Sequence, residues 1–159
     1  METAILASGC FWGTEYFLKR IDGVISTTVG YTGGFVDSPT YEQVCSKRTG
    51  HYEAAKVVFD SRKTSFEEVA RMFFETHDPT QFNGQGPDIG PQYKSAIFFT
   101  SENQKIVAEK LINILKEKGL NIATELIAAD TFYSAESYHQ DYYDRKGGTP
   151  YCHGYRALF

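Results

Sequence analysis

The residues best suited to do chemistry lie near the start of the chain, in Gly9-Cys10-Phe11-Trp12-Gly13. Cys10 falls where a short apolar strand, Ala4 to Ala7, gives way through Ser8-Gly9 to an amphipathic helix carrying Phe11, Trp12, Tyr16, Phe17 and Leu18. A thiol in the first turn of a helix meets unpaired backbone N–H groups and the positive end of the helix dipole, and both favour thiolate over thiol. Position alone leaves two readings open, an activated nucleophile or a small buried hydrophobe. The neighbours favour the nucleophile. Gly9 and Gly13 let the backbone turn sharply, and Phe11 with Trp12 could wall an apolar slot for a methyl or thioether group, although two aromatics there also read as plain core.

The elements that must hold this group follow from the rest of the pattern. Asp22-Gly23 ends the first helix, Val24 to Val29 reads as a strand, and Gly30-Tyr31-Thr32-Gly33-Gly34 as a glycine turn. Ser38 as N-cap with Pro39 at the first helical position predicts one or two turns over Thr40 to Cys45. Tyr52 to Phe59 is a strand, and Ser65 with Glu68 forms a capping box ahead of a short helix. Residues 78–93 hold three Gly and three Pro, a composition that excludes regular structure; so long a loop in a small domain is usually functional or disordered. Ser95 to Phe99 is a strand. Ser101 and Gln104 cap a helix with Ile106, Val107, Leu111, Ile112 and Leu115 inward, stopped by Gly119. Asn121 to Ala129 reads as a strand, Ser134 to Arg145 as a helix, and Thr149 to Phe159 as a tail. Strands and helices interleave without repeats, which predicts an α+β fold: a mixed β-sheet with packed helices.

Composition narrows the classes of function. The 159 residues make one domain, at the rough prior of one per 150 residues. Hydrophobic residues at 42% suffice for a core without staples. A net charge of −4 argues against nucleic acid or a polybasic membrane contact as partner. No stretch approaches the roughly 18 apolar residues of a membrane span, and no signal segment opens the chain, so a cytoplasmic protein with reduced thiols is expected. Three cysteines, Cys10, Cys45 and Cys152, are too few for a disulfide scaffold.

Gly9-Cys10-Phe11-Trp12-Gly13-Thr14-Glu15 resembles the active-site signature of the peptide methionine sulfoxide reductase A family. The likeness continues through Gly30 to Gly34, Pro39-Thr40-Tyr41, Thr49-Gly50-His51 with Glu53, Gly86-Pro87-Asp88, Gln92-Tyr93 and Tyr138-His139-Gln140, in order along the chain. It implies a ferredoxin-like two-layer core with a long C-terminal tail, and reduction of methionine S-sulfoxide, free or in oxidised proteins. By that resemblance Cys10 thiolate attacks the sulfoxide sulfur and becomes a sulfenic acid, the repair chemistry of oxidised methionine. Glu53 matches the family's proton donor; burial would raise its pKa as that task needs, whereas without the resemblance it reads as an ordinary strand-edge carboxylate. Tyr41 and Tyr93 match the tyrosines that hold the sulfoxide oxygen, Asp88 an acid of the same loop, and Phe11 and Trp12 the pair that grips the methyl group. His139 and Tyr142, expected on one face of the last helix, match positions near the site.

The resemblance further implies that Cys152, in a mobile tail over residues 146–159, resolves the sulfenic acid as a disulfide reduced by thioredoxin. One tail cysteine leaves no relay, and Cys45 is assigned to packing. No metal or cofactor is expected, and the chain is expected to act as a monomer. Three other readings compete. Cys10 with His139 could make a cysteine hydrolase, detectable as release of a fluorogenic leaving group. Cys152, His153, His139 and His51 could bind zinc, although no paired-ligand spacing supports it. A binding module for oxidised methionine would need the aromatic slot and no reactive thiol.

Overall fold

The computed structural model describes residues 1–151 and 153–159. β1 (Glu2–Ser8), α1 (Phe11–Leu18), β2 (Val24–Thr32), α2 (Tyr41–Cys45), β3 (Tyr52–Phe59) and α3 (Phe66–Glu75) come first. β4 (Gly84–Gln85), β5 (Asp88–Ile89), β6 (Ser95–Phe99), α4 (Glu102–Glu117), β7 (Glu125–Ala128), β8 (Phe132–Ser134) and α5 (Tyr142–Lys146) follow. Six strands form one sheet in the order β7-β6-β1-β3-β2-β8. Only β6 and β7 pair in parallel, so the sheet is mixed and the fold is α+β, as expected.

β1 sits at the centre because both of its faces are apolar. Ala4 and Leu6, opposite Val57 and Ala55, turn to one side. There they meet Leu18 of α1, Phe66, Val69, Phe73 and Phe74 of α3, and Leu111 and Leu115 of α4. Ile5 and Ala7 turn to the other face, under Phe98, Tyr52 and Phe132. The helices therefore cover one side of the sheet, and Glu53, in step with Ala55 and Val57 on β3, points toward them.

Several boundaries differ from the sequence reading, each for a local reason. Thr40, rather than Ser38, caps α2: its side chain accepts from the Gln43 amide at 3.2 Å, and Gln43 returns the bond at 2.9 Å. Ser38 is in the left-handed region at φ 44°, so the helix begins at Tyr41. On α4 the inward row is Gln104, Ala108, Leu111, Ile112 and Leu115, while Ile106 is 58% exposed; at 100° per residue it lies opposite Ala108. Residues 78–93 contain a small hairpin, β4 with β5, and a one-turn 3-10 helix at Pro91–Tyr93. The Gln85 amide, bonded to both N and O of Asp78 at 2.8 and 2.9 Å, organises that loop. The strand expected over Asn121 to Ala129 is confined to β7; just ahead of it Ala123 N bonds Pro79 O at 2.7 Å.

The largest correction concerns Ser134 to Arg145. This segment is not one helix: β8 ends at Ser134, a 3-10 turn spans Ser137–His139, and only Tyr142–Lys146 is α-helical. Gln140 breaks the winding by bonding both N and O of Val29 on β2, at 2.8 and 2.9 Å. Asp141 then turns into the left-handed region at φ 52°, its amide held by Glu15 Oε1 at 2.8 Å. At the C-terminus, Arg156 N bonds Glu75 O at 2.7 Å and Phe159 packs edge-on to Phe74. Among the described residues no helix is long and apolar enough to cross a membrane.

Candidate active site

Cys10 is the N-cap residue of α1, with its carbonyl accepting from the amides of Gly13 and Thr14 at 3.1 and 3.3 Å. The thiol is thus attached where the helix presents its free N–H groups, as the sequence predicts. The turn from β1 into α1 needs glycine at position 9. Its φ is +96°, and a Cβ there would lie 2.5 Å from Cβ of Gln85. Glu15, buried in the same helix, clamps α1 to its surroundings through Thr27 at 2.9 Å and Asp141 at 2.8 Å.

Glu53 comes to this helix from β3. It is 1% exposed, and its Oε1 accepts the amide of Phe11 at 3.3 Å. Its Oε2 is buried without a hydrogen-bond partner among the described residues. Burial pushes the carboxyl up to about 8; the Phe11 amide opposes this, and the charge of Asp88 adds to it. A carboxyl in this state is a neutral acid at physiological pH with one oxygen unsatisfied.

Tyr41 and Tyr93 converge on the same place. Tyr41 is the first residue of α2, its amide bonded to Glu136 Oε2 at 2.9 Å and its ring 4.4 Å from the His139 ring. Burial raises its phenol pKa, reinforced by a hydrogen bond to the Cys45 thiol and by the charge of Glu53. Tyr93, on the 3-10 turn, is likewise raised by burial, and by the charges of Glu53, Cys45, Asp88 and Cys10. Both hydroxyls therefore stay protonated and can donate. Asp88, on β5, accepts the Tyr151 hydroxyl at 3.0 and 2.9 Å.

Phe11 is fully buried against Tyr31 and His139, with centroids at 5.7 and 5.1 Å. Trp12 is half-buried. It stacks on Tyr142 at 3.7 Å and donates from Nε1 to His139 Nδ1 at 3.0 Å. His139 and Tyr142 do not share a helix face, contrary to expectation, because Gln140 breaks the helix between them; both nevertheless contact Trp12. An indole N–H only donates, so His139 Nδ1 carries no proton, and burial lowers the imidazole pKa. The neutral ring then holds its proton on Nε2, which is buried without a partner among the described residues.

Two residues at the site have no role assigned from the sequence, and a third, Cys45, is expected there only to pack. Glu136 ties Tyr31 Oη, at 2.9 Å, to the start of α2. Tyr31, in register with Glu53 across β2 and β3, floors the Phe11 side of the site. Cys45 is half-buried beside the Tyr41 hydroxyl rather than in the core, where packing alone would have put it. Its spacing of four from Tyr41 on one helix was the available signal. Cys152, the expected resolving thiol, lies outside the described residues. His51 bonds Val36 O at 2.6 Å and the Gly34 amide at 3.1 Å, and among the described residues no group of three His, Cys, Asp or Glu is arranged to hold a metal.

The site thus joins a thiol on the N-cap residue of α1, a buried neutral acid, two phenols and an aromatic wall, a set suited to attack on a polar group carried by a small apolar side chain. Comparisons with known proteins agree. The family model "Peptide methionine sulfoxide reductase" matches residues 2–158. A peptide methionine sulfoxide reductase MsrA of Sulfolobus acidocaldarius is 48% identical over 153 residues, covering 96% of this chain and 87% of that protein. The crystal structure of reduced Mxr1 from Saccharomyces cerevisiae superposes with a TM-score of 0.90 at 36% identity, covering 98% of this chain and 92% of that one. Mxr1 in complex with Trx2 matches with a TM-score of 0.65 at 25% identity, over 98% of this chain and 89% of that one. The chain belongs to the peptide methionine sulfoxide reductase family, enzymes that return methionine sulfoxide to methionine.

Proposed function

We propose that this chain reduces the S epimer of methionine sulfoxide, free or within oxidised proteins, by a thiol mechanism centred on Cys10. Phe11 and Trp12 receive the methyl group, and the hydroxyls of Tyr41 and Tyr93 donate to the sulfoxide oxygen. Cys10 Sγ attacks the sulfoxide sulfur. As the S–S bond forms and negative charge builds on the oxygen, Glu53 supplies the proton; the hydroxyl then passes to Cys10 Sγ while the substrate S–O and the S–S bonds break, releasing methionine and leaving Cys10 as a sulfenic acid. Asp88, beside Glu53, helps keep that acid protonated. His139 and Tyr142 hold the indole of Trp12 in place.

The observation that carries this reading is the Glu53 carboxyl, buried next to the helix start that bears Cys10, raised to about 8 and with Oε2 unsatisfied. A structural carboxylate would be paired on both oxygens, whereas an acid waiting for an oxygen to protonate leaves one open.

Recycling follows from Cys152. Its thiolate attacks Cys10 Sγ, the S–O bond breaks, and the hydroxyl leaves as water once protonated, giving a Cys10–Cys152 disulfide. A thioredoxin dithiol then returns two electrons and two protons. The yeast relative crystallised with Trx2 supports that choice of reductant, which a reducing cytoplasm supplies. The test is consumption of methionine S-sulfoxide with dithiothreitol by the wild type and by Cys10→Ser. Wild-type turnover with none in the variant supports the reading; equal binding without consumption in both would leave only a binding module. After one turnover without reductant, two thiols should be lost.

A further inference from the structure

The residues on either side of Cys152 are both tied to the walls of the site. Tyr151, 65% exposed, gives its hydroxyl to Asp88 at the rim. His153 is buried, 7% exposed, with Nε2 2.6 Å from Ser8 O and 3.4 Å from Ser8 Oγ. A carbonyl oxygen only accepts, so Nε2 carries the ring proton. Burial holds the imidazole pKa down to about 4, which keeps the ring neutral at physiological pH.

The seat for this ring is made by the turn that carries Cys10. A Cβ on Gly13 would lie 2.3 Å from His153 Nδ1 and 2.8 Å from its Cε1, so the imidazole lies directly on the glycine of α1. Gly9, across the same turn, is 3.8 Å from Cε1 by the same measure. Ser8 Oγ, beside the ring, is bonded in turn to Thr14 Oγ1 at 2.8 Å. Gly9 and Gly13, which bracket the nucleophile in sequence, therefore also form the slot that accepts a side chain from the other end of the chain. An apolar ring could fill that space, but only a directional N–H to Ser8 O sets both its depth and its rotation.

We propose that His153 is a positioning residue for recycling: its imidazole locks onto the Ser8–Gly13 turn and so delivers the neighbouring Cys152 thiol to Cys10. The inference rests on the reading of Cys152 as the resolving thiol. Holding residue 153 on that turn tethers the end of the chain beside Cys10, and a tether raises the effective concentration of a thiol it carries at the sulfenic acid. The step itself is unchanged: S–S forms, the Cys10 S–O bond breaks, and water leaves.

The test uses the full chain, N-acetylmethionine S-sulfoxide and no reductant, in wild type, His153→Ala and His153→Gln. Methionine release, thiol loss and trapping of Cys10 sulfenic acid by dimedone are followed together. His153→Ala should release one methionine at the wild-type rate, lose its second thiol about 10- to 100-fold more slowly and accumulate the dimedone adduct. His153→Gln, whose amide N–H can reach Ser8 O, should recover part of the rate. With dithiothreitol, which reduces the sulfenic acid directly, His153→Ala should turn over normally. Disulfide closure at the wild-type rate in His153→Ala overturns the proposal, as does a parallel loss of methionine release that glutamine does not relieve. A wild type that loses one thiol only, with Cys152 still alkylatable, removes the recycling reading and the anchor with it.

Discussion

Glu53 reaches from β3 to the first turn of α1 and accepts the amide of Phe11 at 3.3 Å, next to Cys10. One bond satisfies one carboxyl oxygen and fixes the plane of the group; the other oxygen, Oε2, is left buried and open. The bond links the acid to the helix start one residue from the nucleophile.

Glu53→Gln preserves that bond and removes the proton. The expected outcome is a fall of about 10²- to 10⁴-fold in the rate of methionine release with little change in KM, because proton transfer belongs to the transition state. In the wild type the acid exists below its raised pKa of about 8 and is lost as pH rises through it. Single-turnover rates against pH should show that descending limb, and Glu53→Gln should lack it.

The same substitution should alter stability in a direction set by linkage. Unfolded, Glu53 ionises near its ordinary value of 4.5; folded, it keeps its proton to about 8. Between those values the unfolded chain binds fewer protons than the native one, so the wild type loses stability as pH rises. Glu53→Gln carries no such loss. Measured by urea unfolding, its stability relative to wild type should rise from pH 4 to pH 8 by on the order of a few kcal/mol and level off above.

Glu136→Ala should weaken the site from outside it. The carboxylate holds the hydroxyl of the fully buried Tyr31 and the amide that starts α2, both at 2.9 Å. Burial works against its ionisation, but the Tyr41 amide and the Tyr31 hydroxyl keep its pKa below the ordinary value. Removing it strands two donors, at a cost of about 2–4 kcal/mol. Denaturation should report that loss, and kcat/KM should fall as Tyr41 shifts.

Gly9→Ala combines a positive φ of +96° with a Cβ 2.5 Å from that of Gln85. The strain alone is of order 1–3 kcal/mol, and relief requires either the Cys10 turn or the Gln85 loop to move. Chemical denaturation should register the destabilisation, and reactivity of Cys10 toward iodoacetamide should change with it. An unaltered alkylation rate would mean that the loop alone gives way.

Local signals were enough to locate most elements. Ser65 and Ser101 cap α3 and α4 by accepting the amides of Glu68 and Gln104, although those side chains turn to Thr64 and Thr100 instead of closing the expected boxes, and short apolar runs mark β1 and β6. Such features depend on residues within a few positions of one another. Sequence is a weaker guide where distant groups override local preference: Gln140 binds β2 and ends a helix that the sequence pattern would continue, and the Gln85 amide orders a loop whose composition speaks against regular structure although it holds the β4–β5 hairpin.

By itself the sequence determined the chemical inventory and the thiol's position at a helix start, since Gly-Cys-aromatic-aromatic-Gly after a strand leaves few other conformations. Tertiary structure alone decided the environment of each group. Glu53 looks exposed at a strand edge until α1 buries it and shifts its pKa. Cys45 looks like core until Tyr41 turns its hydroxyl to it, and His153 looks like tail until Gly13 provides its seat. Burial and pairing are sums over residues far apart in the chain, and only folding performs them.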